Sequence, residues 1–486
     1  MIELLLLTPI ITAALCYVLK NRRAIEAVNI IGAGIVLAIG AYAAYGVFTT
    51  GTVEYGLWYL DALGAYMLII ISFIGFLTAI YSIGYIGHEY DHKEIDFGKL
   101  RYYYLFFHVF IFTMILVCVS NNLGIMWIAI EATTLASAFL VGFYDRDTSV
   151  EAAWKYLIIC SVGITLALLG TILIYASSID VPGESSGGLN WSTLAAHASS
   201  LDTTLLKIAF ILVLIGYGTK VGLAPMHTWL PDAHSQAPTP VSAMLSGVLL
   251  NCAMYGILRY HIIVSDAIPG FSGTLLLIFG LLSLATAAAF VIIQKDYKRL
   301  LAYSSIEHMG IIAIGFGLGG AIGIFGGLLH IMNHALTKSL MFFGAGNILL
   351  KFRSRNIDEI RGVASVMPVT AAMFLMGAFA ITGSPPFSIF VSEFTILMSG
   401  MMQGNYLASA LYLILIVAIF AGFLYQTGRM LFGEPLPGMA RGEVSRLNLV
   451  VMGLLVLIIL VTGFYMPDTV TGIITKIAGI FPGGSI

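Results

Sequence analysis

The sequence predicts an all-α polytopic membrane protein of about fourteen helices. Three observations lead there. Hydrophobic residues make up 59% of the 486 and charged residues only 10%, with a mean hydropathy of +0.96. Apolar runs of about 20 residues, the length that crosses a bilayer, recur from end to end. Lysine and arginine collect in alternate connections between those runs.

In chain order the spans fall near residues 2–19, 28–48, 62–87, 102–120, 122–143, 152–176 and 204–223, then 239–264, 273–294, 299–318, 321–350, 366–398, 405–431 and 447–466. The run from Leu4 to Leu19 has no basic flank and no small-residue cleavage site, so it reads as a first span and not as a removed signal. Lys20, Lys93, Lys99, Arg146, Lys295, Lys298, Arg353, Arg355, Arg429 and their basic neighbours lie in or beside the first, third, fifth, ninth, eleventh and thirteenth connections. By the positive-inside rule those connections are cytoplasmic. The other side holds only Lys207, Arg259 and Lys476, which puts both termini outside the cell membrane. An error of one span would scramble this alternation. The expected units are a three-helix segment over 1–101, a first repeat over 102–264, a second over 265–431, and a C-terminal helix and tail over 432–486. The polar stretch Ser177 to Thr203 reads as a surface connection. Cys16, Cys118, Cys160 and Cys252 lie in apolar runs without metal-ligand spacing and read as small packing residues.

Two spans are interrupted. In GTKVGLAPMHTWLPDAHSQAPTPVS, Lys220 is followed by Pro225, Pro231, Pro238 and Pro240. Each proline removes a backbone donor and clashes with the preceding turn. The carbonyls so freed must be covered by protein or water. The second interruption, AFAITGSPPFSIFVSE, holds Gly383, Pro385 and Pro386 ahead of Glu393. Two charge-bearing broken helices an odd number of spans apart suggest an inverted repeat, with half-channels opening to opposite sides.

Charges within the spans are expensive and so point to function. Glu131 stands alone in IMWIAIEATTLASAF and needs a partner or a proton. Lys220 is the expected partner. At about 4 Å and an effective dielectric of about 20, such a pair interacts by about 4 kcal/mol. Desolvation favours the neutral lysine and a nearby carboxylate the charged one, so opening or closing the pair switches the proton. The alternatives are a fixed ion pair or a protonated Glu131, and a Lys220 that snorkels to the surface. Lys155, four residues after Glu151, sits nearer the end of its span, where snorkelling is an equal alternative. His330, His334 and Lys338 are spaced four and four and share one helix face. They read as a proton ladder, with a zinc site or packed neutral histidines as alternatives. Glu393 reads as a proton exit at the second break, or as a cap on freed donors there. His227, Asp232, His234 and His308 are weaker candidates of the same kind. With no phosphate loop, cysteine cluster, haem motif or nucleophile elbow, the sequence offers no redox or hydrolytic site.

The segments KVGLAPMHTWLPDAHSQAPTPVSAMLSG, QKDYKRLLAYSSIEHMG, LLHIMNHALTKSLMFFGAGNI and GSPPFSIFVSEF, in this order, resemble the antiporter-like subunits of respiratory complex I, Mrp-type cation/proton antiporters and group 4 NiFe hydrogenases. IEATTLASAFLVGFYDRDTSVEAAWKYLIIC with SGVLLNCAMYGILRY looks most like component F of hydrogenase-4 and formate hydrogenlyase complexes. The resemblance implies two inverted five-helix repeats, each with a broken helix. It implies a proton path through Glu131, Lys155, Lys220, Lys338 and Glu393, inside a larger complex with other membrane subunits and a peripheral hydrogenase or electron-transfer arm. The transported ion would be H+, with Na+ the alternative. Any NiFe and Fe–S cofactors would lie in other chains, and no nucleic-acid partner is implied. Asn251 stands where several relatives have a titratable Lys or His, so water would have to bridge the middle. The long lateral C-terminal helix of some relatives is not expected. The competing functions are a Na+/H+ antiporter subunit, a complex I-type NADH:quinone oxidoreductase subunit, or a scaffold with a vestigial channel.

Overall fold

The computed structural model describes residues 1–179, 188–435 and 437–484. The order is α1 (Ile2–Val18), α2 (Arg22–Thr50), a hairpin of β1 (Val53–Tyr55) and β2 (Trp58–Leu60), α3 (Ala62–Asp91), α4 (Phe97–Val119), α5 (Leu123–Val141) and α6 (Asp147–Ser177). Then come α7 (Trp191–Ala196), α8 (Thr203–Val221), α9 (Trp229–Gln236), α10 (Thr239–Met244), a π turn at Leu245–Leu249, α11 (Leu250–Ala267), α12 (Phe271–Val291), α13 (Tyr297–Leu318) and α14 (Gly320–Phe352). The chain ends with α15 (Val363–Val366), α16 (Pro368–Ile381), α17 (Ser388–Met402), α18 (Tyr406–Leu431), α19 (Arg446–Phe464) and α20 (Asp468–Ala478).

Among the described residues, eleven helical segments are long and apolar enough to cross a membrane, counting Thr239–Ala267 as one. α1 is a shorter apolar helix, and α14 has 33 residues whose His, Asn and Lys lower its hydropathy. With α16 and α17 taken as one broken crossing, the fourteen expected spans are present. Short polar caps fix where many begin: Asn21, Asp61, Asp96, Asn122, Asp202, Asp296 and Ser445 each accept first-turn backbone N–H groups.

Contacts between the connections support the alternation of sides. Arg22 pairs with Asp91, Lys99 with Asp145, Arg353 with Glu94 and Arg429 with Asp358, so the basic connections meet at one end. At the other end the β hairpin, Asn121 and Ser192 gather around Glu54. Burial is uneven. The apolar window of Thr239–Ala267 is 100% buried and that of α13 is 94%, against 28% for α18 and 33% for α12. The inner helices are therefore shielded from lipid, and polar side chains can be kept there.

Four expectations change. Arg259, expected in an outer connection, is buried in α11, where it makes a two-pronged ion pair with Asp61 at 2.6 and 2.7 Å. Lys298, counted with the basic connections, is also buried, its Nζ donating to Ala237 O at 2.6 Å. The 177–203 connection is more than a surface loop: Trp191 is buried, donates to Arg259 O at 2.8 Å and lies 4.2 Å from the guanidinium carbon. Residues 180–187 of that connection lie outside the described ones. The C-terminal tail adds the helix α20, whose Lys476 donates to Phe48 O.

Candidate functional site

The first break separates α8 from α9. Gly222 at φ +79° turns the chain in the left-handed region, where glycine alone is unstrained, and a Cβ there would lie 2.4 Å from Leu230. Ser283 accepts the N–H of Ala224 at 3.0 Å, and Trp229 donates to Thr219 O at 2.8 Å. The second break, between α16 and α17, is built alike. Gly383 has φ +68°, and Asn333 of α14 donates to Ser388 O at 2.7 Å. A cis peptide precedes proline in each, at Ala224–Pro225 and Pro385–Pro386.

Lys220 is fully buried at the end of α8, against the first break. The expected direct pair with Glu131 is not formed. Lys220 Nζ instead donates to Thr134 Oγ1 at 2.7 Å and to Tyr156 OH at 2.5 Å. Thr134 in turn donates to Glu131 Oε2 at 3.3 Å, and Ser161 to Oε1 at 2.9 Å. Thr134 lies one turn beyond Glu131 on α5, so its hydroxyl reaches the space between carboxylate and ammonium. Glu131 is half-buried, on the edge of a lateral face that exposes Ile128 and Leu135.

Lys155 is not within the buried axis. Its side chain is 48% exposed and pairs with Glu151 at 2.6 Å and Asp232 at 3.4 Å. Asp232 also meets Arg299 at 3.2 Å, so both belong to a surface ion cluster, in keeping with the snorkelling alternative. His227 is half-buried beside Tyr303, apart from the axis.

The second half forms a denser cluster. Lys338 of α14 is buried and donates to Leu301 O at 2.8 Å and Ser304 Oγ at 2.9 Å. One and two turns earlier stand His334 and His330, on the expected shared face. The hydrogen bonds, however, run across helices and not along the ladder. His308 Nδ1 meets His330 Nε2 at 2.9 Å, and His330 Nδ1 meets Ser392 Oγ at 2.9 Å. His308 is thus central, not peripheral. Among the described residues, both nitrogens of buried His334 lack a partner, as do Nε2 of His308 and Oε1 of Glu393. Glu393 is buried beside the second break, where a Cβ on Gly383 would lie 1.9 Å from its Oε2. Glu307, which the sequence reading passed over, is buried on α13 one turn beyond Ser304, the hydroxyl that accepts from Lys338. The rule that singled out Glu131, an acid inside an apolar span, would have found it. The donor atoms of His308, His330 and Glu393 lie within 4.8 Å of one another, close enough to hold a metal ion. These are the ligands that a zinc reading of the histidines alone could not supply.

Between the halves lies Asn251. It is buried, donates to Gly247 O at 2.8 Å and to Ile331 O at 3.5 Å, and leaves its Oδ1 unpartnered. The π turn just before it brings Ser246 to Ser305 at 2.7 Å. Turns of this kind often mark functional positions. Hydroxyls and an amide therefore occupy the gap between Lys220 and Lys338.

This arrangement can be set beside known proteins. Residues 120–424 match the family model described as NADH:quinone oxidoreductase/Mrp antiporter, transmembrane, and residues 50–94 match that of the complex I chain 5 N-terminus. A hydrogenase-4 component F homolog of Methylacidiphilum infernorum (isolate V4) is 43% identical over 414 residues, 85% of this chain and 86% of that protein. Among solved structures, the fold matches a chain of the membrane-bound sulfane sulfur reductase, an archaeal respiratory membrane complex. The TM-score is 0.88 at 24% identity, over 100% of this chain and 98% of that one. It also matches a chain of the Mrp complex from Dietzia sp. DQ12-45-1b, with a TM-score of 0.85 at 20% identity over 97% and 96%. The two breaks, the buried lysines and these likenesses lead to one statement: the chain belongs to the antiporter-like transmembrane family of NADH:quinone oxidoreductases and Mrp antiporters.

Proposed function

We propose that this chain is the proton-translocating subunit of a membrane-bound redox complex of the hydrogenase-4 type. The observation that supports it best is the pairing of each helix break with buried titratable groups. Lys220, held by Thr134 and Tyr156, stands at the first, and Glu393 with His308 and His330 at the second. Groups of this kind inside a membrane exchange protons or order water. In this reading the basic connections face the cytoplasm. Thr134 is the movable link. When its hydroxyl bridges Lys220 to Glu131 the ammonium is favoured, and when the bridge opens the lysine releases its proton toward the second half. Asn251, Ser246 and Ser305 order the water that carries it to Lys338. The half-buried Glu131, on an apolar lateral face, is where a neighbouring membrane subunit would act on the switch. Electron transfer and any NiFe or Fe–S centres belong to other chains.

The test is proton uptake by the purified complex in proteoliposomes, with redox turnover followed in parallel. Lys220→Ala should abolish uptake per electron, and unimpaired uptake would reject the proposal. A Na+/H+ antiporter subunit is the second reading, favoured by the likeness to the Mrp complex chain. Na+-stimulated proton flux in a purified complex without redox subunits would select it.

A further inference from the structure

A polar cavity of about 520 Å³ opens at the basic end of the molecule, outside the axis described so far. Glu89, Tyr144, Arg146, Lys298, Arg353 and Arg355 line it. It has room for a file of waters at ~30 Å³ each. Glu89 is the unusual member. It belongs to the last turns of α3 and is buried, accepting from Tyr144 OH at 2.5 Å through Oε1, while its Oε2 has no partner among the described residues. A buried carboxylate oxygen left unpaired is costly, and the same side chain lines the cavity.

From Glu89 a line of buried groups leads inward. Lys298, at the start of α13, borders the same cavity as Glu89 and donates to Ala237 O at 2.6 Å, just past the end of α9. His234, on α9 just past the first break, is fully buried and stacked on Phe342 of α14 at 5.2 Å, with neither ring nitrogen partnered. Phe342 lies one turn along α14 from Lys338, so the ring sits between the cavity end of α13 and the second lysine. Lys338 donates to Ser304 Oγ at 2.9 Å, one turn before Glu307 on α13, and the next residue, His308, has a donor atom within 4.8 Å of one on Glu393 at the second break. These steps bypass Asn251 altogether.

We propose that this cavity is the aqueous mouth through which protons enter the second half of the axis. Glu89 collects them, and Lys298 and His234 pass them to Lys338. The inference rests on the proton-translocating reading above and adds to it a second intake that works in the same cycle as the Lys220 switch, so that loss of either curtails uptake. Each step moves one proton between basic atoms, His234 receiving on one ring nitrogen and releasing from the other, and no redox partner is needed. Arg353, paired with Glu94 at 3.2 Å, and Arg355, donating to Ser235 O at 2.5 Å, form the rim.

Two measurements on the reconstituted complex test this. Glu89→Gln should lower proton uptake per electron about tenfold, and Glu89→Asp should restore part of it. In the second, Leu349→Cys places a thiol on the cavity wall at a side chain outside the proposed route. The four native cysteines are all buried, so a membrane-impermeant cationic thiosulfonate should react at this thiol. Labelling from the basic face should cut uptake severalfold, and unlabelled Leu349→Cys should pump normally. Wild-type uptake in Glu89→Gln, or uptake untouched by complete labelling, would overturn the mouth while Lys220→Ala still abolished pumping. Normal uptake in Lys220→Ala would instead count against the broader function.

Discussion

Thr134 stands between Lys220 and Glu131, receiving a hydrogen bond from the lysine at 2.7 Å and giving one to the carboxylate at 3.3 Å. The intramembrane cation and anion of the first half are therefore linked through a hydroxyl. A hydroxyl can rotate, which a locked ion pair cannot.

Thr134→Val keeps the shape of the side chain and removes the link. Hydrogen bonds to charged groups are worth about 1.5–3 kcal/mol, so proton uptake per electron should fall roughly tenfold or more, with the complex still assembled. Thr134→Ser, which keeps the hydroxyl, should retain most of it. Proteoliposome uptake set against redox turnover measures both.

Gly383→Ala tests the second break. At φ +68° the added methyl is strained, and it would lie 1.9 Å from Glu393 Oε2, so the carboxylate must move. Uptake should drop severalfold while the amount of assembled complex stays near wild type. Gly404→Ala, also at positive φ (+76°) but with open space around its Cβ position, separates backbone strain from displacement and should leave uptake unchanged.

Asp61→Ala tests stability apart from transport. It leaves Arg259 buried without its carboxylate and removes the cap of α3. Breaking such a pair costs about 3–5 kcal/mol, seen as a large fall in the unfolding temperature of the detergent-solubilised complex. Asp61→Asn with Arg259→Leu should recover part of the loss.

Lys155→Gln should have a small effect. The ammonium is 48% exposed and shares Asp232 with Arg299, and exposed ion pairs contribute about 0–1 kcal/mol. Uptake within about twofold of wild type is expected, with a weaker dependence on ionic strength.

The parts legible in the sequence are those written locally. Spans follow from hydropathy, the alternation of sides from Lys and Arg, and both breaks from Pro225 and the Pro385–Pro386 pair. Lys220, Lys338 and Glu393 stood out because a charge inside an apolar run is visible without coordinates. What was hidden depends on residues far apart in the chain. Asp61 and Arg259 are 198 positions apart, so neither announced the other, and Arg259 passed for a loop charge. Tyr156 meets Lys220 across 64 positions. The exchange between His308 and His330 joins two helices whose facing registers no single-helix spacing reveals. Lys298 looked like one more basic connection residue because its burial comes from α9 and α14 packing over it.

In the proposed function protons cross through the buried axis, and Lys338 is the residue on which both proposed routes converge. Proton uptake per electron should be measured in proteoliposomes holding the whole complex with Lys338→Gln. A loss of tenfold or more is expected, with assembly and initial redox activity retained. Wild-type uptake per electron in that variant would contradict it.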